Sequence, residues 1–406
     1  MSFLSFFTHG NQEVSLLLDI GSGSVGAALV CFAPKKQPRI LYTTRTDIAF
    51  QKQTDPKRLP LLLTRALGTL LESVMKDGVK HTRFVRPKRQ IIDAVHVVLA
   101  SPWYISHTTS KLITKELPIV ITPEVLDKYI LEEQQALIDS LPAREGQFQE
   151  GVRPVEHSVV RLLLNGYETS QPYGKRAKEL CLTSYVSLMP ERIAELIDTA
   201  VRSVLYPPSM HFHTFGLAAF TAVRALFPHA DNFLFLDVGS EVSELFLVKQ
   251  GALVDSVSVP CGKHSFVRMV ADDMSVEESV ALSHIRLHVT DTGDSSTDAR
   301  VAHALSEIKE EWLTHLSVAL DLFEKTATLP EKVFLTADAD MLPLVLLYCP
   351  SMRSTAAGTH WNPVCTPLTL ADTARHIHTS SGTESDIFSS INTLFVRELH
   401  QSRNYR

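Results

Sequence analysis

Two groups of residues in this chain have the types and spacing needed to hold a phosphorylated ligand. The first is Asp19, Gly21, Ser22, Gly23 and Ser24; the second is Asp237, Gly239 and Ser240. Glycine lets backbone approach a phosphate because it carries no Cβ. Successive N–H groups in such a turn form an anion-binding nest. A carboxylate at the turn's entry can hold Mg²⁺ through water, since this ion keeps much of its hydration shell. Asp19 and Asp237 are therefore the candidate metal contacts, and Gly21, Ser22, Ser24 and Gly239 the candidate phosphate contacts. Each group lies between two apolar runs, within residues 16–30 and 233–248, so each reads as a β-hairpin with its chemistry at the tip. A chain that builds this tip twice can enclose a phosphate chain and its cation between two facing lobes.

The elements that position these tips can be read along the chain. Residues 14–30 form the first hairpin and 39–48 a third strand. Residues 59–75 place Leu61, Leu62, Leu63, Leu67, Leu70 and Leu71 at helical spacing. The unbroken apolar run 91–100 suits a strand buried on both faces. An inserted unit follows: a strand at 110–120, then a helix capped by Thr122 with Pro123 at its first position. A loop at 142–151, strands at 155–165 and 177–188 and a helix at 190–204 complete it. Beyond it come an apolar helix at 215–227, the second hairpin, a strand at 252–260 and a helix at 264–273. Ser275 and Glu278 have the spacing of a helix start, and 288–297 is polar and loop-like. The helix 299–325 carries Leu305, Ile308, Trp312, Leu316, Leu320 and Phe323 on one stripe. A strand at 332–336, a turn at 337–340, a helix at 341–348 and a final helix at 385–400 end the reading.

Bulk properties narrow the function. The 406 residues suffice for two domains, and 45% hydrophobic with 21% charged residues is a soluble globular composition. A net charge of −6 supplies no basic field, which excludes charge-driven binding of nucleic acid. Five cysteines without CxxC spacing fit a reducing compartment and give no zinc site. No apolar run reaches membrane-spanning length, and residues 1–10 lack the basic region and cleavage site of a signal peptide. Phe3, Leu4, Phe6 and Phe7 form an apolar patch that packs on the body or touches a membrane surface or partner. His211 and His213 read as surface chemistry rather than a metal pair, and Trp361 as a loop anchor. There is no nucleophile elbow, and the spacing Gly21, Gly23, Gly26 continues into a strand, unlike a dinucleotide fingerprint.

The doubled hairpin resembles the nucleotide-binding fold shared by actin, sugar kinases and Hsp70. That implies an α/β, two-lobed, RNase H-like architecture with a small inserted α+β subdomain. The expected division is 14–100 with 205–230 as the first lobe (1A) and 101–204 as the insert (1C, SHS2-like). The second lobe (2A) takes 231–265 with 330–406, and a mostly helical subdomain (2B) takes 266–329. Within this superfamily the order of parts resembles FtsA and PilM, the cell-division and type IV pilus homologues. The insert follows the strand at 91–100, and its second half runs through 155–166, 177–186 and 190–204. Residues 259–270, with Pro260, Gly262 and Lys263, are similar to the Pro-x-Gly-Gly-Asn turn and helix of those families. The Phe3–Phe7 stub and the lack of a terminal amphipathic helix bring the chain nearer to PilM.

The resemblance covers most of residues 14–400 and carries ligand roles to Asp19, Gly21, Ser22, Ser24, Asp237 and Gly239 only. Gly26 stands where these families often have Lys, Glu241 and Val242 where they have Gly-Thr, and Asp338 and Ala339 where they have Gly-Gly in the adenosine turn. The resemblance thus implies a cytoplasmic scaffold that binds ATP or ADP with Mg²⁺ weakly or not at all. Its partner would be a short cytoplasmic peptide of the inner-membrane type IV pilus machinery. Self-association into filaments and peripheral attachment at the inner face of the membrane go with that expectation. The alternatives are an FtsA-like division protein that binds ATP and anchors filaments, and an active ATPase using Asp19 and Asp237 for Mg²⁺. A small-molecule kinase is disfavoured, because the insert replaces the lobe such enzymes use for substrate.

Overall fold

The computed structural model describes residues 12–82, 92–141, 151–169, 171–290, 292, 294–355 and 361–403. The apolar patch at Phe3–Phe7 and most of the loop at 142–151 lie outside them. Fifteen strands are described: β1 Glu13–Ile20, β2 Ser24–Phe32, β3 Arg39–Asp47, β4 Ala94–Leu99 and β5 Ile105–Val120. They continue as β6 Val152–Leu164, β7 Tyr167–Glu168, β8 Arg176–Pro190, β9 Met210–Thr214 and β10 Phe233–Val238. The last are β11 Ser243–Lys249, β12 Ala252–Val259, β13 Lys332–Ala337, β14 Val364–Pro367 and β15 His378–Thr379.

These strands form three sheets. The first lobe has the order β15-β3-β2-β1-β4-β9, the second β12-β11-β10-β13-β14, and the insert β5-β8-β6-β7. The core of both lobes is the same motif. An antiparallel meander (β1-β2-β3, β10-β11-β12) is followed by a strand that returns parallel to its first member, β4 beside β1 and β13 beside β10. A parallel return needs a long crossover, which puts helices on the sheet faces and buries both sides of the central strands. Accordingly every residue of β4 and β10 is buried. The chain has the two-lobed α/β architecture that the doubled hairpin implies.

Several expectations are corrected in detail. Residues 210–214 are a strand, parallel to β4, so His211 and His213 stand inside the fold and His213 is buried. The bulky Pro207-Pro208 approach and alternating polarity hid this strand. Ser275 does not start a helix; it caps the Lys263–Met274 helix in the left-handed conformation (φ 56°), and the next helix is Glu278–Val289. The polar stretch at 288–297 holds a shorter connection than expected, because one helix runs to Val289 and the next begins at Ser295. Strands β14 and β15 are too short to carry a periodic signal. β15 pairs with β3, and the final helix, Ile387–Arg403, packs on β1, β2 and the Phe215–Leu226 helix. Residues 378–403, grouped with the second lobe in the sequence, therefore return to the first sheet. Trp361 is the expected anchor, buried with Nε1 donating to the Pro330 carbonyl at 2.8 Å.

The second lobe is centred on the Ser295–Glu324 helix, whose apolar stripe is fully buried from Leu305 to Phe323 at the positions named above. Trp312 sits at its middle, edge-on to Phe266 at 5.9 Å, with Nε1 donating to Ser243 Oγ at 3.2 Å. That bond ties the core to the residue opening β11, directly beside the second tip. Trp312→Ala should therefore cost about 3–5 kcal/mol of stability, read from the urea midpoint.

Candidate functional site

The two tips face each other across the junction of the lobes, and their chemistry is already engaged. Asp19, near the end of β1, is 6% exposed. Its Oδ2 accepts from Arg45 Nη2 at 2.7 Å. The register explains the pair: Asp19 lies opposite Gly26 on β2, and Gly26 lies opposite Arg45 on β3. With no side chain at Gly26 the guanidinium reaches across β2; a Cβ there would stand 2.7 Å from Arg45 Nη2. Arg45 also donates to Ser24 Oγ at 2.9 Å and, through Nε, to Asp386 Oδ2 at 2.9 Å. Burial raises the Asp19 carboxyl above its ordinary value, with Arg45 opposing the rise. Burial also acts to raise the Asp386 carboxyl, yet Arg45 prevails and holds it below its ordinary range.

The tips also touch. A Cβ on Gly23 would fall onto the Ser240 hydroxyl and 2.5 Å from Ser240 Cβ. Ser22 Oγ accepts from the Glu241 backbone N–H at 3.0 Å. The carbonyls of Gly21 and Gly23 are taken by Trp103 Nε1 (2.7 Å) and Ile48 N–H (2.8 Å). In the second tip, Gly239 and Ser240 carbonyls accept from the N–H groups of Lys263 and His264, which open the next helix. Glu241 turns to that helix, accepting from His264 Nδ1 at 2.8 Å and Arg268 Nη2 at 2.8 Å. Burial would raise its carboxyl, but the His264 and Arg268 bonds outweigh it and hold it down at about 2.

The remaining carboxylates are equally committed. Asp237 Oδ1 accepts from Thr336 Oγ1 at 2.7 Å. Burial drives its carboxyl well above the ordinary value; Thr336 opposes this, and Glu244, Asp19 and Asp338 add to it. Glu244, opposite Asp237 on β11, accepts from Tyr104 at 2.9 Å, its carboxyl pushed up by burial to about 7. In the turn at 336–340, Asp338 and Asp340 grip Lys263 Nζ at 3.0 and 2.9 Å, and Arg286 bonds Asp340 at 2.9 Å. Those side chains fill the turn that the resemblance assigns to an adenosine. The residues present do not fit Mg²⁺-ATP: a guanidinium neutralises Asp19, Thr336 holds Asp237 Oδ1, and Ser240 abuts Gly23.

The structure thus brings together Asp19, Ser22, Ser24, Asp237 and Gly239 at one junction. Gly21 turns back on its own hairpin, its N–H bonded to the Ser24 carbonyl at 3.0 Å. Sequence reasoning missed Arg45, Trp103, Lys263, His264 and Arg268. Arg45 had a readable signal, since a glycine flanked across a meander by an acid and a base invites such a pair. Trp103 and Arg268 had none, because only the tertiary path brings them to the tips.

No family model matches this chain, and no curated protein matches it. Solved structures do. One, titled as a PilM-PilN type IV pilus biogenesis complex, superposes with a TM-score of 0.61 over 94% of this chain and 98% of that one, at 14% identity. The chain has the actin-like fold. A Bacteroides thetaiotaomicron protein described as having an actin-like ATPase fold and unknown function covers 95% of this chain and 96% of its own, at 10% identity and a TM-score of 0.42.

Two outcomes test this geometry. Gly23→Ala should destabilise the protein by roughly 1–3 kcal/mol through overpacking, and Ser240→Gly should recover much of that loss in a double-mutant cycle. Independent, additive losses in urea titrations would show that the tips do not touch. Glu244 has a folded-state value raised from 4.5 to about 7, so the stability it contributes is complete below pH 4.5 and is lost as pH rises through 7. Glu244→Gln should flatten the stability profile across that window and gain most, relative to wild type, at pH 8.

Proposed function

We propose that this chain is an actin-like scaffold of type IV pilus assembly that works through protein partners with its nucleotide cleft closed. The observation that carries the closed cleft is the Arg45 guanidinium on Asp19, with Ser240 packed against Gly23 beside it. Opening the cleft for a triphosphate would strand a buried carboxylate, at a cost of about 3–5 kcal/mol for breaking such a pair. The pilus assignment rests on the shared fold with the PilM-PilN type IV pilus biogenesis complex. By the same analogy the partner is a short cytoplasmic segment of an inner-membrane pilus protein, and this chain a peripheral protein on the inner face. No helix of the described residues is long and apolar enough to cross a membrane, so attachment would come through that partner. The insert offers a place for it: β5 is an edge strand, and Leu112, Leu117 and Leu131 are 66%, 78% and 60% exposed. An edge strand beside apolar side chains suits strand addition by a peptide.

Titration calorimetry with ATP and Mg²⁺ should give no binding heat up to millimolar nucleotide. Micromolar binding would overturn the closed-cleft reading and revive the ATPase alternative. Co-purification from membranes should recover an inner-membrane pilus component; recovery of division proteins in its place would favour the FtsA-like alternative.

A further inference from the structure

A second cluster lies away from the tips, on the face of the first sheet that the final helix covers. Leu17 of β1 pairs with His96 of β4, so Glu13, Ser15, Leu17 and His96 share one sheet face. His211 lies opposite His96 on β9, with rings stacked at 5.2 Å; the His213 ring is stacked on His96 at 5.3 Å and stands 6.5 Å from His211. The final helix brings His400 over the same face, its ring edge-on to Phe32 at 4.9 Å. One ligand atom each of Glu13, His96 and His400 lies within 4.8 Å of the other two, and His400 Nε2 is 3.6 Å from Glu13 Oε1. Ligand atoms on a tetrahedral zinc ion stand roughly 3.3 Å apart, given bonds of about 2.0–2.1 Å. A small side-chain closure converts the cluster into a coordination shell.

The decisive feature is the hydrogen-bond chain behind His96. His213 Nδ1 is 3.0 Å from Glu156 Oε1, while Glu156 Oε2 accepts from the Thr214 N–H and hydroxyl at 3.1 and 2.6 Å. A carboxylate only accepts, so Nδ1 of His213 carries the proton. In neutral His213, Nε2 is then an acceptor and receives a hydrogen bond from His96 Nδ1–H, 3.0 Å away. This fixes His96 in the tautomer whose Nε2 carries a lone pair. A carboxylate orienting a ligating histidine through its second nitrogen is how proteins tune metal sites, and here the carboxylate acts through one further imidazole. His96 is 1% exposed, so the donor is pre-positioned rather than solvent-mobile.

We propose that Glu13, His96 and His400 form a binding site for a divalent transition metal, Zn²⁺ by ligand type, with water as the fourth ligand. Two imidazoles and one carboxylate suit this borderline ion better than Mg²⁺ or Ca²⁺, which take oxygen ligands. Ser15 Oγ donates to Glu13 Oε1 at 2.9 Å and steadies the carboxylate without occupying both oxygens. The ion would clip the final helix to β1 and β4, stabilising the folded chain by mass action. Glu156 and His213 are positioning residues.

The test uses the full chain with any affinity tag removed, stripped with chelator and titrated with Zn²⁺ alone. One equivalent should bind at micromolar or tighter affinity and raise the melting temperature. His400→Ala, on the partly exposed helix, should weaken binding at least about a hundredfold. Glu156→Gln should weaken it about tenfold. If His96→Ala fails to fold, His400→Ala and Glu13→Gln carry the test, with folding checked by circular dichroism. Co²⁺ substitution should give the intense visible bands of a tetrahedral site, lost in His400→Ala. Absence of stoichiometric binding, or unchanged affinity in His400→Ala, would overturn the proposal.

Discussion

The ion pair between Asp19 and Arg45 is the constraint on which the rest of the cleft depends. A buried carboxylate must be neutralised by a proton, a metal or a base. Here the base comes from the neighbouring strand, through the gap left by Gly26. Once the guanidinium is seated there, Ser24 and Asp386 become its remaining partners, and the first tip is fixed in shape. The second tip can then rest on it, Ser240 against Gly23 and the Glu241 amide on Ser22. The two turns that the sequence marks as candidate phosphate cradles are satisfied internally, group by group.

The second lobe reaches the same end by a different route. Its turn at 336–340 has two aspartates that hold Lys263, and Lys263 belongs to the helix whose first N–H groups bind the second tip. Inside this cleft Arg45, Lys263, Arg268 and Arg286 therefore pair with Asp19, Asp386, Glu241, Asp338 and Asp340. Such a network is costly to assemble and costly to break, because removing one member leaves its partner buried and unpaired. The larger part of a fold's stability comes from apolar burial. In this chain that stability lies in the apolar layers around Trp312 and beneath the Leu59–Ser73 helix.

Much of this was legible in the sequence, and the limits have physical causes. The hairpins, the buried strand β4, the capped helix after Thr122 and the long helix through Trp312 all carry strong local patterns. The candidate residues Asp19, Ser22, Ser24, Asp237 and Gly239 do converge on one junction. Their state was not legible, because it depends on Arg45, His264 and Arg268, whose positions follow from strand register and lobe packing. Strand β9 was lost because its histidines look like surface residues, although packing against the final helix buries His213. Residues that pair across long sequence separations leave no periodic trace.

The contacts around Glu241 reach both lobes. Arg268 binds Glu241 and donates to the Gln51 carbonyl at 3.3 Å; the Phe50 ring lies edge-on to His264 at 5.0 Å; Lys52 reaches Glu277 at 3.4 Å. These bonds span the mouth of the cleft, while Gly23 and Ser240 close its floor. Contacts at both levels oppose rotation of one lobe on the other. That arrangement suits a strut better than a clamp. Load applied at the insert would pass to the far lobe as displacement of one body, without being spent on opening it.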